Sequence, residues 1–281
     1  MKYQKLLLQI INDFFILLFI LGGLKINYYT EKNVRLILGD SFEIMKKLPK
    51  ESFDMIFADP PYFLSNGGIS NSGGKVVSVN KGDWDKIDSL EDKHKFNREW
   101  IKLAKNLLKP NGTIWISGTL HNIYSVGMAL EQEGFKILNN ITWKKLNPPP
   151  NLSCRYFTHS TETILWARKN DKKARHYYNY DLMKKYNGGK QMKDVWEGSL
   201  TPQIEKIYGK HPTQKPEYLL HRIVESSTKQ GDLILDPFLG SGTTGVVSKK
   251  LNRKFIGIEN CEDYLEIAKK RINSLGVKYE L

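Results

Sequence analysis

Cysteine is scarce: Cys154 and Cys261 are the only two in 281 residues, far apart and outside any CxxC or Cys/His cluster. That spacing excludes a disulfide framework and a thiolate zinc site, and it fits a reducing, cytoplasmic compartment. The six histidines show no metal-ligand spacing either, so no metal is expected. Acidic residues are outnumbered, 30 Asp plus Glu against 43 Lys plus Arg, for a net charge of +13. A compact chain that basic repels itself unless an anion shares its surface. Nucleic acid is the first candidate, an acidic membrane face the second, and a merely solvated basic surface the plain alternative. The strongly apolar stretch lies at the amino terminus, Leu6 to Leu24, where Asn12 and Asp13 interrupt it and leave only Phe14 to Leu21 unbroken. A mid-span Asp costs roughly 2.5–3.5 kcal/mol on insertion. No alanine precedes Ala58, so an A-x-A cleavage site is missing. Residues 1–24 are therefore expected to lie outside the functional fold, with a membrane or export segment as the alternative.

Overall composition, 40% apolar and 26% charged, is that of an ordinary globular chain. Apolar runs predict strands at residues 34–38, 53–58, 113–117, 137–143, 163–167, 233–235 and 255–258. Helical periodicity covers 94–108, 124–133, a segment opening at Pro216 and closing by Gly231, and 262–275. Phe63 to Asp85, rich in Gly, Ser and Asn, reads as a long loop, and Pro110-Asn-Gly112 as a helix end. Strands alternating with helices predict an α/β fold with a doubly wound, mostly parallel sheet.

Two turns carry the chemistry. Strand 233–235 runs into Asp236-Pro-Phe-Leu-Gly-Ser-Gly-Thr-Thr244, a glycine turn opening a helix, with Gly240 and Gly242 allowing close backbone approach to a ligand. Nineteen residues after Gly240, at the end of the next apolar strand, stands Glu259, the spacing at which an acidic group bonds ribose hydroxyls. The third glycine of the dinucleotide fingerprint and the Walker lysine are both missing, which favours an adenosine-bearing ligand without a pyrophosphate. A structural helix-entry turn is the bland alternative. The second turn is Asp59-Pro-Pro-Tyr62, at the carboxyl end of strand 53–58, where open α/β sheets bind ligands. Asp59 and the Pro60 carbonyl make two acceptors for one amino group, and Tyr62 offers a face for a flat base. Gripping both hydrogens of an exocyclic amine frees a lone pair otherwise delocalised into the ring. A simple turn after a strand is the alternative here.

Together, Asp59-Pro-Pro-Tyr62 and Asp236-Pro-Phe-Leu-Gly-Ser-Gly242, in that order, resemble the amino-DNA methyltransferases, and within them the beta class of DNA adenine N6-methyltransferases. The resemblance implies a Rossmann-like methyltransferase fold and S-adenosylmethionine as cofactor. It implies Asp59, Pro60, Pro61 and Tyr62 as the catalytic tetrad. It places Gly39, Asp40, Lys215, Pro216, Asp236, Pro237, Phe238, Gly240, Ser241, Gly242, Thr243 and Glu259 at the cofactor, with His211-Pro-Thr-Gln-Lys-Pro216 as the flanking motif. Trp143 resembles the aromatic position behind the target base. A finer likeness, carried by Phe63 to Asn71, Gly82 to Asp85, Asn147 to Tyr156 and His176 to Tyr180, is to the second methyltransferases of Dpn-type restriction–modification systems. Those are GATC-specific and able to act on single strands, which implies a restriction endonuclease and a companion methyltransferase as functional partners.

Between Arg168 and Asp194 lie nine Lys or Arg and three Asp, interleaved with tyrosines. Such a segment suits phosphate neutralisation and base stacking. Arg168, Lys169, Lys172, Lys173, Arg175, Tyr177 and Tyr178, with Trp143 and Lys144, are the candidate DNA contacts, a solvated loop being the alternative. The expected organisation is an extension (1–24), a catalytic half (33–167), a target-recognition insertion (168–210) and a cofactor half (211–275). The competing functions are a cytosine-N4 DNA methyltransferase and a catalytically silent nucleic-acid-binding protein of the same fold.

Overall fold

The computed structural model describes residues 28–31, 33–63, 69–72, 75–78 and 89–275. The apolar head, 1–24, and much of the expected 63–85 loop lie outside the described residues. In chain order the strands are β1 (Tyr28–Glu31), β2 (Val34–Leu38), β3 (Phe53–Ala58), β4 (Ile69–Ser72), β5 (Lys75–Ser78), β6 (Leu108–Gly118), β7 (Phe135–Lys145), β8 (Thr161–Lys169), β9 (Val195–Gly198), β10 (Leu233–Asp236) and β11 (Lys254–Glu259). The α-helices are α1 (Ser41–Met45), α2 (Leu90–Leu107), α3 (Ile123–Gln132), α4 (Tyr180–Tyr186), α5 (Glu217–Ser227), α6 (Thr243–Lys250) and α7 (Glu262–Asn273).

Nine strands form one sheet in the order β1-β2-β11-β10-β3-β6-β8-β7-β9, and β4 pairs with β5 apart from it. The contiguous block β2-β11-β10-β3-β6 is parallel. β8 runs antiparallel to both β6 and β7, and β1 antiparallel to β2. The sheet is thus mostly parallel, as the alternation of elements predicts.

The period of two along each strand sorts side chains onto two faces. Ile56, Ala58, Ile114 and Ile116 pack beneath α1, α2 and α3. Met55, Phe57 and Trp115 pack beneath α5, α6 and α7. Trp115 stacks on Trp166 at 4.8 Å between centroids and donates its indole N–H to Ser227 Oγ at 3.0 Å. That bond satisfies a polar group that the core would otherwise strand.

Pro110-Asn-Gly112 does not separate α2 from the next strand. α2 ends at Leu107 and β6 begins at Leu108, with its register against β3 jumping from the Phe53↔Leu108 pair to Met55↔Thr113. The proline and glycine sit in that irregularity inside the strand, where a missing ladder donor is tolerated. Segment 168–210 contributes β9 to the central sheet, in parallel with β7. No helix among the described residues is long and apolar enough to cross a membrane.

Candidate active site

The parallel strands all end on one edge, and a cavity of about 280 Å³ opens there. Its wall gathers the four tetrad residues, Asp59 to Tyr62, with Asp236, Pro237, Phe238, Gly240, Ser241, Thr243 and Glu259. Two turns that lie far apart in the chain meet because β3 and β10 are adjacent and parallel, Ile234 opposite Met55. Asp40 and Lys215 also line the cavity, whereas Gly39, Pro216 and Gly242 do not.

Those three have other work. Gly39 donates its N–H to the Glu259 carbonyl at 2.8 Å and leads into α1, which Asp40 caps by accepting from Glu43 N at 2.9 Å. Pro216 is the N-cap residue of α5. Gly242 takes φ 78°, and a Cβ there would stand 2.6 Å from the Ala268 Cβ. Its lack of a side chain thus serves the packing of α6 on α7. Gly240, at φ 52°, is the glycine that faces the cavity.

The cavity is acidic and its carboxylates are held from behind. Glu259 accepts Gly240 N at 2.7 Å and the N–H groups of Asn260 and Cys261 at 3.0 Å each. Burial raises its pKa above the ordinary carboxylate value against those three donors. Asp236 accepts from the Thr244 hydroxyl at 2.6 Å and from Phe238 N at 3.0 Å. Its burial, with smaller additions from Asp59 and Glu259, pushes its pKa up to about 7. Gln214 donates to the Glu205 carbonyl at 2.8 Å, but its buried Oε1 has no partner among the described residues. An orphaned acceptor and four carboxylates (Asp40, Asp59, Asp236 and Glu259) around Phe96, Phe238 and Tyr264 suit a cationic ligand bearing hydroxyls and a flat ring. S-adenosylmethionine fits that set.

At the tetrad, the Tyr62 hydroxyl donates to Asp59 Oδ1 at 2.5 Å and accepts from Lys215 Nζ at 2.8 Å. Lys215 also donates to Asp59 Oδ2 at 2.6 Å and lies 5.2 Å from the Tyr62 ring centroid. The ammonium thus points at the catalytic carboxylate, although its motif places it with the cofactor. Tyr62 is only 5% exposed, so the stacking face expected of it is covered in the free protein. Behind this group stands Glu162, which sequence reasoning missed; a lone Glu at the start of a strand carries no motif.

The expected DNA contacts divide by sheet edge. Trp143 is a core side chain, 2% exposed, its indole N–H bound to the Tyr218 hydroxyl at 2.7 Å, so it is not placed to stack on a base. Lys144 pairs opposite Thr161 on the catalytic edge and is bridged to Glu197 at 2.8 Å. Arg168 pairs opposite Thr113, Lys169 reaches Glu51 at 3.2 Å, and Arg175 N donates to Asn111 at 2.8 Å. Those partners stand at the start of β3 and β6, one strand length (about 20 Å) from the tetrad. Lys172 and Lys173 lie between them on the same edge. Tyr177 lies under Lys229 at 4.8 Å, and Tyr178 packs on Trp166 at 5.6 Å, just past the end of α5 on that edge. β8 carries the chain away from the site before the basic run begins, which composition does not reveal. On the catalytic edge lies instead the connection from β7 to β8, with Tyr156 59% and Phe157 96% exposed. It is tied to the tetrad through Asn122, which donates to the Pro61 carbonyl at 3.3 Å, and the rings of His121, His159 and Tyr156.

A family model for DNA methylases of the N6/N4 type matches residues 53–270, spanning both turns. The chain is 74% identical over 247 residues to the type II methyltransferase M2.DpnII of Streptococcus pneumoniae, covering 88% of this chain and 92% of that relative. It is 56% identical over 245 residues to the type II methyltransferase M2.MboI of Moraxella bovis, covering 87% and 89%. In structure it is similar to the M1.HpyAVI–SAM complex, with TM-score 0.64, 33% identity and coverage of 85% of this chain and 99% of that one. A PvuII cytosine-N4-specific DNA methyltransferase shares the fold, with TM-score 0.68 at 19% identity, covering 90% and 89%. The chain belongs to the N6/N4 DNA methylase family: it is an S-adenosylmethionine-dependent DNA methyltransferase of the restriction–modification type.

Proposed function

We propose that the acceptor base is adenine, methylated at N6 within GATC, and that single-stranded DNA is a substrate. The observation that carries this is Asp59 at the cavity wall, oriented by Tyr62 and Lys215, with the cofactor-side carboxylates in the same cavity. Bound there, S-adenosylmethionine supplies an electrophilic methyl group on a sulfonium. Asp59 accepts one N6–H of the target base and the Pro60 carbonyl the other, so the nitrogen lone pair turns out of conjugation. Asp236 and Glu259 fix the cofactor side, so positioning and electrostatics supply most of the rate. An adenine already single-stranded saves a few kcal/mol of unstacking.

DNA approaches the edge on which β3 and β10 end, where Lys144, Tyr156 and Phe157 lie, and not the Arg168–Arg175 side. The sequence GATC rests on the likeness to M2.DpnII and M2.MboI, and so do a cognate restriction endonuclease and a companion methyltransferase. Labelled-methyl transfer to single- and double-stranded oligonucleotides, with and without GATC, followed by nucleoside analysis, tests the reading. N6-methyladenine confined to GATC is the expected product; N4-methylcytosine overturns the base assignment. Asp59→Ala is expected to abolish transfer while DNA binding stays within a few-fold, and an active Asp59→Ala enzyme would defeat the mechanism.

A further inference from the structure

The target amine and the target ring need two things from the tetrad, an oxygen of Asp59 and the face of Tyr62. In the free protein Lys215 occupies the first of these, its ammonium lying on Asp59 and beyond the hydroxyl end of the Tyr62 ring. Its Nζ lies 2.6 Å from Asp59 Oδ2, 2.8 Å from the Tyr62 hydroxyl and 5.2 Å from that ring's centroid. The side chain is 6% exposed, so an ammonium displaced from Asp59 is held best by another anion within reach. One is present. Glu162 Oε2 lies 3.5 Å from Nζ, in a side chain 11% exposed, while Glu162 Oε1 is bridged to Lys145 at 2.7 Å.

We propose that Glu162 is a positioning residue that receives the Lys215 ammonium when the target base enters. Lys215 stands in for the amine until then and keeps the Asp59 carboxylate oriented; Glu162 provides the second berth that lets Asp59 exchange ammonium for amine. Charge favours this, because Lys145 and Lys215 hold Glu162 ionised: burial alone would raise its pKa, yet the two cations bring it below the ordinary value. The Lys215 ammonium likewise survives burial, which pulls it down, because Asp59 and Glu162 more than offset that. The cluster of two carboxylates and two ammonium groups is neutral as a whole, so moving the ammonium between carboxylates leaves no charge unpaired.

The inference rests on Asp59 as the grip for the amine, which Asp59→Ala tests separately. Its own test is a pair of variants of the full chain, Glu162→Gln and Glu162→Gln/Lys215→Met, read by single-turnover methyl transfer under saturating cofactor and DNA, whichever base is methylated. Without the second berth, Lys215 stays on Asp59. Glu162→Gln is expected to slow transfer by about tenfold or more with cofactor affinity near the parent's, and to lower the melting temperature because the Lys145 ammonium loses its partner. Removing the competing ammonium then restores rate, so the double variant is expected to transfer at least about fivefold faster than Glu162→Gln alone. A merely structural Glu162 leaves single-turnover transfer by the folded Glu162→Gln enzyme at the parental rate, with only its melting temperature lowered. A double variant no faster than Glu162→Gln, or a Glu162→Gln enzyme at the parental rate, overturns the proposal.

Discussion

Asp236 should make cofactor binding depend on pH near neutrality. Burial raises its pKa to about 7 in the free protein, so a carboxyl on the cavity wall is half protonated at that pH. S-adenosylmethionine brings a sulfonium and an ammonium into the same cavity and so favours the ionised form. If the bound state holds Asp236 ionised throughout, the apparent dissociation constant scales as one plus ten to the power (pKa − pH). That factor is about 11 at pH 6 and about 1.1 at pH 8, so affinity should rise about tenfold across the interval, with about half a proton released at pH 7. Titration calorimetry at several pH values, in buffers of different ionisation enthalpy, measures both. S-adenosylhomocysteine, which lacks the sulfonium charge, should show a shallower slope, and Asp236→Asn should bind more weakly with the slope gone. A flat affinity from pH 6 to 8, or the same slope in Asp236→Asn, refutes the reasoning. The same group acts on stability with the reverse sign. The folded chain keeps a proton that the unfolded chain loses at about 3.8, so the free protein should lose stability as pH rises from 3.8 towards 7.

Phe157, 96% exposed on the catalytic edge, should stack on a base beside the target. Phe157→Ala is expected to weaken single-stranded DNA binding by about 1–3 kcal/mol in a fluorescence-anisotropy titration, with an unchanged salt slope. Arg175→Ala, on the opposite edge, should leave binding within about twofold in the same titration, and a loss of one phosphate's worth of salt dependence would place DNA there instead. Gly242→Ala, with its Cβ driven to 2.6 Å from Ala268 at a positive φ, should cost about 1–3 kcal/mol by denaturant melting, even though Gly242 does not face the cavity. Trp143→Phe should destabilise the fold by about 1 kcal/mol or more through the lost Tyr218 bond while leaving DNA affinity near the parent's.

The parts legible in the sequence are those fixed by local physics. A strand that stops at Asp59-Pro-Pro-Tyr62 and another that stops at a glycine turn must both end on the carboxyl edge of a parallel sheet, so the site assembles from two short motifs. Glu259 is readable for the same reason, since one strand and one helix fix its distance from Gly240. What composition cannot convey is which edge a segment occupies. The basic run after β8 looks suited to DNA by charge and aromatic content, but β8 is antiparallel to β6, and that single reversal carries Arg168 to Arg175 to the far side. Trp143 illustrates the complementary failure: as a motif residue it suggests a stacking ring, but the period of two along β7 turns it into the core with Trp115 and Trp196. Glu162, and the pairing of Lys215 with Asp59, are invisible for a third reason. The meeting of these groups depends on a loop, a strand start and the tetrad converging in three dimensions, with charges balanced only as a set. Function here is therefore read from sequence where one element terminates, and from structure wherever two elements must agree on direction.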